Sequence, residues 1–284
     1  MMKILVTGAT GNLGGLVVEE LLKLVPMKQV AVSVRDPKKA EHLSARGIDV
    51  RTADFNDYDS LVTAFAGIDR LLMISTEDIV NRVSQQTAVI KAAKEANVGF
   101  IAYTSASNAT NSKLTLAESH KKTEEAILQS GIPYVILRNN WYLENEMATF
   151  QTVLNGGPWV IASGEGKTGW ATRRDYAEAA AKVLAGHGRE NAVYELTGKP
   201  LTQEELSAIF ASAMGRTVQV QYVDQEAYRN ILSQAGLPQP VADMLADMQN
   251  QIGAGELEVV SNDLEQLLGH PPTPLEEAIR SLLG

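Results

Sequence analysis

Residues 4–15 read ILVTGATGNLGG: an apolar, β-branched run breaks at Gly8, then Gly11 and Gly14 follow at intervals of three, and a helical pattern opens near Leu13. The run suits a strand covered on both faces. The glycines let backbone N–H groups come close to a pyrophosphate, and the amino terminus of the following helix adds positive potential there. The spacing is G-x-x-G-x-x-G, not the G-x-G-x-x-G of the standard dinucleotide fingerprint, so alone the triplet is compatible with a simple tight turn. What lies behind it decides the fold.

Short β-branched runs alternate with longer helical patterns through the first half of the chain. Strands are expected at Lys3–Thr7, Val30–Arg35, Ile48–Thr52, Arg70–Ile74, Phe100–Thr104 and Tyr134–Arg138. Helices are expected at Leu13–Leu24, Asp59–Phe65, Val83–Ala96 and Ala117–Gln129, where apolar positions recur three and four apart. Parallel strands need such crossovers, so the pattern predicts an α/β fold, a doubly wound parallel sheet of Rossmann type. Beyond about residue 140 the pattern loosens and Gly and Pro gather in NGGPWV and SGEGKTGW. The expected organisation is a dinucleotide-binding domain over 1–140, with 170–197 returning to it, and a smaller α/β substrate lobe over 141–169 and 198–284. Within RRDYAEAAAKVLAG, Asp175 is expected as the helix cap, and Thr202 with Glu205 has the capping-box spacing ahead of another helix.

Composition narrows the function. The 284 residues carry 34 acidic and 25 basic side chains and no basic cluster beyond pairs such as Lys121–Lys122, so a nucleic-acid partner has little electrostatic support. The absence of Cys excludes disulfides and thiol nucleophiles, and four scattered His give no metal-ligand spacing, so no metal is expected. No apolar run reaches the ~18 residues of a membrane span, and the amino terminus reads as a strand. A cytoplasmic protein with a small-molecule ligand and no membrane insertion follows. A homo-oligomer stays open.

The second strand ends SVRDPKKA. An acidic residue there would hydrogen-bond a ribose 2′-hydroxyl, whereas a guanidinium pairs with a 2′-phosphate. Arg35 stands at the strand terminus, and Asp36 ahead of Pro37 suits a helix cap, so NADPH is expected rather than NADH. Asp54 and Phe55, after the third strand, are placed either for the adenine or as turn and core residues. Ser75, Thr76 and Glu77 end the fourth strand, at the carboxyl edge where open sheets bind ligands.

TGATGNLG, VRDP, ADFND, IAYTS, H-x-x-T-E at His120–Glu124, LRNNWYLEN and ATRRDYAEAAA together resemble the atypical short-chain dehydrogenases of NmrA-like fold, in the group of bacterial NADPH-dependent quinone reductases and triphenylmethane dye reductases. The resemblance spans essentially the whole chain. It implies NADPH held by Gly8, Thr10, Gly11, Asn12, Leu13 and Gly14, by Arg35, by Ser75–Glu77, by Thr104 in IAYTS, and by Asn140, Trp141, Tyr142 and Asn145. The acceptor, a quinone or dye, would sit between the nicotinamide and the smaller lobe. Relatives also include NADP(H)-binding redox sensors without turnover, which is the competing reading.

Ordinary members of that superfamily carry Tyr-x-x-x-Lys on the helix that begins TLAESHKKTEE at 115–125. With Glu124 in the acidic position that follows the motif, His120 falls in the Lys slot and Leu116 in the Tyr slot. Tyr103 on the fifth strand is expected to be a packing residue. Loss of the phenol is tolerable for some acceptors: hydride on a ketone makes a localised basic alkoxide that needs a proton donor, while a quinone or cationic dye gives a delocalised or neutral product. Orientation of the acceptor then carries the catalysis. His120, with an unperturbed pKa of ~6.5, is a candidate proton relay or ribose donor, or else a helix histidine satisfied by Glu124. Trp141 and Tyr142 offer flat amphipathic rings to a planar acceptor or pack between the lobes; Trp170 is a further candidate at the acceptor, although burial against the lobe is the favoured role for it. The expected activity is flavin-free, metal-free hydride transfer from NADPH to such acceptors.

Overall fold

The computed structural model describes residues 2–284. The chain runs β1 (Ile4–Thr7), α1 (Asn12–Leu24), β2 (Val30–Val34), α2 (Glu41–Ser44), β3 (Asp49–Thr52), α3 (Tyr58–Phe65), β4 (Arg70–Met73), α4 (Arg82–Glu95), β5 (Phe100–Ala106), α5 (Ala117–Ser130) and β6 (Tyr134–Asn139). Then come α6 (Met147–Leu154), β7 (Trp159–Ile161), β8 (Lys167–Thr168), α7 (Arg173–Leu184), β9 (Ala192–Leu196), β10 (Leu201–Thr202), α8 (Gln203–Met214) and β11 (Val220–Tyr222). Four helices finish the chain: α9 (Gln225–Gln234), α10 (Gln239–Gly253), α11 (Asp263–Leu268) and α12 (Leu275–Leu283).

Seven strands form one parallel sheet in the order β3-β2-β1-β4-β5-β6-β9. The order reverses between β1 and β4, and the crevice outside the strand ends at such a switch point is where a doubly wound sheet takes its ligand. Apolar side chains cover both faces. On one, Val6, Val17, Val32 and Leu137 pack with Tyr176, Ala180 and Leu184 of α7; on the other, Leu5, Leu71 and Ile101 pack with Phe65 of α3, Val89 of α4 and Ile127 of α5. Each fully buried Val, Leu, Ile or Phe among them contributes roughly 1.5–3 kcal/mol.

A third cluster lies outside the sheet. Phe150, Trp159, Trp170, Leu206, Phe210 and Ile279 form the core of the smaller lobe, where β7 pairs with β11 and β8 with β10. Two sequence expectations need correction. Leu264, Leu267 and Leu268 of α11 join the sheet's core rather than the lobe's, so residues 263–268 belong with α7 and β9. The cap of α7 is Thr172, not Asp175: the Asp175 N–H donates to Thr172 Oγ1 at 3.0 Å, while the Asp175 carboxylate accepts the Thr172 N–H at 3.3 Å. Asp175 is three residues too far into the helix to cap it and completes a capping box instead. The expected box at Thr202 and Glu205 is present. No helix among the described residues is long and apolar enough to cross a membrane.

Candidate functional site

β1 ends at Thr7, and the chain turns at Gly8 with φ +62°. The Gly11 N–H donates to the Gly8 carbonyl at 2.9 Å, closing a tight loop. Gly11 is the cap residue of α1 and has no side chain to offer, so the helix starts with its first-turn N–H groups uncapped by any side chain. Gly14 packs directly on this loop. A Cβ there would overlap the Gly8 carbonyl oxygen and lie 2.7 Å from its carbon, so only glycine fits. Thr10, Gly11 and Asn12 are exposed at the mouth of the loop, and Leu13 turns into the core.

Two buried threonines tie the neighbouring strand ends together. Thr7 Oγ1 accepts the Ile74 N–H at 3.0 Å, and Thr104 Oγ1 accepts the Ser75 N–H at 3.0 Å. The loop after β4 therefore starts from a fixed position against both β1 and β5. Thr76 Oγ1 accepts the Asp78 N–H, and Glu77 is exposed.

At the end of β2 the Arg35 guanidinium is exposed and has no hydrogen-bond or ion-pair partner among the described residues. Asp36 is committed to the turn: its carboxylate accepts the Lys38 N–H at 3.0 Å, with Pro37 in the first helical position. This strand end thus presents a free cation and no free carboxylate. Asp54 is likewise a turn residue, accepting from Asn56 N–H and Asn56 Nδ2 at 2.9 and 3.1 Å, and the half-buried Phe55 packs on the sheet's core.

α5 holds His120, 5% exposed. Its partner is not Glu124, which Arg138 grips with two nitrogens at 2.9 and 2.6 Å and Ser105 approaches at 2.5 Å. Instead Nδ1 lies 2.7 Å from the Tyr103 hydroxyl and Nε2 lies 3.3 Å from Arg82 Nη1. Arginine only donates, so Nε2 accepts; Nδ1 then carries the proton and donates to Tyr103, which donates to Gln86 Oε1 at 3.1 Å. Burial, with the Arg82 charge adding to it, pushes the His120 pKa down to about 3. His120 is therefore neutral, which corrects the expectation of a near-neutral titrating group. Tyr103 is fully buried as expected, yet its hydroxyl belongs to this network rather than to packing alone, and burial drives its pKa above the ordinary tyrosine value.

Leu116 shares an apolar cluster with Leu114, Ala117, Met248, Ile252, Leu257 and the Trp141 ring. The Trp141 indole also faces a carboxyl: Glu146 Oε1 accepts from Trp141 Nε1 at 3.2 Å, from Trp170 Nε1 at 3.1 Å and from Gln203 Nε2 at 3.5 Å. Gln203 accepts in turn from Trp159 Nε1 at 3.0 Å. Glu146 is 8% exposed with no basic partner among the described residues, and burial raises its pKa. Trp170 is thus a core residue of the lobe, 2% exposed, which is the burial the sequence favoured and leaves it no face for an acceptor. The half-buried Tyr142 stacks edge-on against Tyr176 with the Arg173 guanidinium 5.2 Å from its ring centre, and its hydroxyl accepts from Asn139. Asn139 Oδ1 is buried without a partner. The Asn140 amide is spent on structure, donating to Thr197 Oγ1 and the Leu257 carbonyl and accepting the Trp141 N–H, and Asn145 accepts from Arg173.

These features, a glycine loop under an uncapped helix, a free arginine at the end of β2 and a helix with Leu and His in the Tyr and Lys slots, coincide with the match of residues 1–278 to the NmrA-like family model. The chain belongs to the NmrA-like family. Among NmrA-like relatives, quinone oxidoreductase 2 of Escherichia coli (strain K12) is 44% identical over 282 residues, 99% of each chain. The NADPH-dependent quinone oxidoreductase of Escherichia coli, solved in complex with NADPH, superposes with a TM-score of 0.94 at 43% identity, covering 99% of this chain and 100% of that one. Triphenylmethane reductase of Citrobacter sp. superposes with a TM-score of 0.92 at 40% identity over 99% of both chains.

Sequence reasoning missed three residues that matter in this NmrA-like site. Arg82 and Gln86 lie four apart and continue the inward stripe of Val89, Ile90 and Ala93 on α4, so polar side chains at core positions were the available signal. Glu146 left none: a carboxyl in LENE looks like a solvated helix start.

Proposed function

We propose that the protein reduces quinones and related planar acceptors, triphenylmethane dyes among them, with hydride from NADPH and without flavin or metal. The observation that carries this reading is Leu116, set among apolar side chains where a proton-donating phenol would be needed, with Tyr103 turned inward to His120 and Gln86. A site so built suits acceptors that take hydride without a local acid. The relatives named quinone oxidoreductase 2 and triphenylmethane reductase support the same acceptor class.

The residues present fit NADPH. The close approach of Gly14 to Gly8 and the uncapped start of α1 leave backbone N–H groups for a pyrophosphate, and Arg35 stands free for a 2′-phosphate. When bound, NADPH supplies the hydride. The chain does the rest by placement. Ser75–Glu77 would line the cofactor from a loop anchored by Thr7 and Thr104, and the half-buried Trp141 and Tyr142 would help exclude water at the acceptor end.

The test follows NADPH absorbance with purified, flavin-free protein and a panel of quinones and triphenylmethane dyes. Acceptor-dependent oxidation is expected. Tight NADP(H) binding with no oxidation by any acceptor would overturn the enzyme in favour of a redox sensor.

A further inference from the structure

α4 opens with Arg82, whose guanidinium turns inward and is 7% exposed as a residue. Its Nε donates to the Thr76 carbonyl at 3.0 Å, and its Nη1 to Ser119 Oγ at 3.1 Å and His120 Nε2 at 3.3 Å. None of these is an anion. Buried arginines are ordinarily paired, because taking a charge out of water without a counter-charge is costly. The nearby carboxylate of Asp78 is engaged elsewhere, accepting from Asn81 N–H, Asn81 Nδ2 and Gln85 Nε2. Arg82 therefore has no carboxylate in direct contact, and Asp78 acts on it only across a distance.

Its position gives that charge a use. Thr76 belongs to the loop assigned to the cofactor, and Ser119 passes the contact on, donating to the Leu116 carbonyl at 2.8 Å. Arg82 thus braces the loop after β4 against the start of α5, where the phenol is missing. α5 offers no rival: His120 is neutral, Lys122 pairs with Glu118 at 3.1 Å on the surface, and Lys121 lines an outer groove with Glu125 and Leu128.

We propose that Arg82 supplies the fixed positive charge against which negative charge develops on the acceptor, and that it thereby favours neutral quinones over cationic dyes. The inference rests on the hydride-transfer reading above. Hydride, one proton with two electrons, converts a neutral quinone into a hydroquinone monoanion; a proton from water then gives the hydroquinone. A cationic triphenylmethane dye takes the same hydride on its central carbon and becomes neutral. A nearby cation helps the first reaction as charge appears, and in the second it only opposes the positive charge that the dye brings. Arg82 works through its field and through Thr76 and Ser119, so it is a positioning residue.

Arg82→Gln removes the charge and Arg82→Lys keeps it. With a neutral benzoquinone, Arg82→Gln is expected to lower kcat/KM by roughly ten- to hundredfold, and with crystal violet, whose positive charge the guanidinium repels, to leave it unchanged or raise it, while Arg82→Lys recovers most of the quinone rate. A readout free of turnover is the ionisation of a nitrophenol bound to the protein with NADP+, followed by its absorbance. The phenolate should be favoured in the unchanged protein and in Arg82→Lys, and disfavoured in Arg82→Gln. Equal fractional losses with quinone and dye, or unchanged nitrophenol ionisation, would overturn the proposal and leave Arg82 a brace of the fold. Should the unchanged protein oxidise NADPH with neither acceptor, the hydride-transfer reading falls, and the nitrophenol alone decides whether the charge acts at this site.

Discussion

His120 Nδ1 sits 2.7 Å from the hydroxyl of Tyr103, and the hydrogen bonds on either side run in one direction, from Arg82 through His120 and Tyr103 to Gln86. A protonated imidazole would face the guanidinium with a second positive charge, out of water. The pair is therefore stable only as neutral imidazole and neutral phenol.

That gives a pH signature. The folded His120 has its pKa lowered from 6.5 to about 3, first by burial and then by Arg82. Between those values the unfolded chain binds a proton that the folded chain refuses, so this contribution is complete above about pH 6.5 and is lost as pH falls towards about 3, at up to about 1.4 kcal/mol per pH unit. Chemical denaturation at a series of pH values should show it. His120→Ala should abolish that component while costing about 1–3 kcal/mol at neutral pH, because Arg82 and Tyr103 lose a partner. Turnover should show no inflection near pH 6.5 from this group, and its loss should lower quinone reduction only modestly.

Arg35→Ala should cut the preference for NADPH over NADH. Losing a charge-assisted contact to a 2′-phosphate predicts a roughly ten- to hundredfold weaker Kd for NADPH, with NADH nearly unchanged. An unchanged ratio of the two affinities, measured by titration, would sink the assignment of this strand end.

Gly14→Ala should fail for steric reasons. Its methyl meets the backbone of Gly8 and Ala9, which cannot rotate away as a flexible side chain could. A cost of about 1–3 kcal/mol or more is expected, together with weaker NADPH binding as the loop is pushed open. Thermal unfolding with and without NADPH checks both, and a variant matching the original in Tm and in the NADPH-induced rise would count against the close-approach argument.

Glu146→Gln keeps an oxygen acceptor for the indoles of Trp141 and Trp170 and removes a carboxyl whose pKa is raised by burial. Such a group supports the fold fully below its unfolded pKa, and that support is lost as pH rises through its folded pKa. The variant should accordingly be the more stable protein at neutral pH, with the advantage shrinking in acid. Tm values measured at neutral pH and below about pH 4 test the sign.

The sheet was legible because its strands are apolar runs with both faces covered, and the bounds of β1, β2, β4 and β5 fall within two residues of expectation. β9 is not legible as a strand, since Val193 is exposed at the sheet's edge, Glu195 interrupts the apolar run to pair with Arg138, and the five residues follow a Gly-rich turn. Asp36 and the Thr202 box were readable from short-range capping chemistry. The polar interior was not. Tyr103, Gln86, Arg82 and His120 come from three different elements, and nothing in local spacing says that β5, α4 and α5 will bring them within hydrogen-bond reach. The same holds for Glu146, whose partners lie up to 57 residues away.

The chain has three tryptophans, and Glu146 with Gln203 joins the N–H groups of all of them at one point outside the sheet. Intrinsic indole emission consequently watches one end of the molecule. A melt followed by that emission reports loss of the lobe, whereas far-ultraviolet dichroism is weighted to the helices around the sheet. Coincidence of the two curves would mean that the tryptophan cluster and the sheet come apart as a single cooperative unit; a gap between them would measure how far that cluster can open while the sheet stays folded.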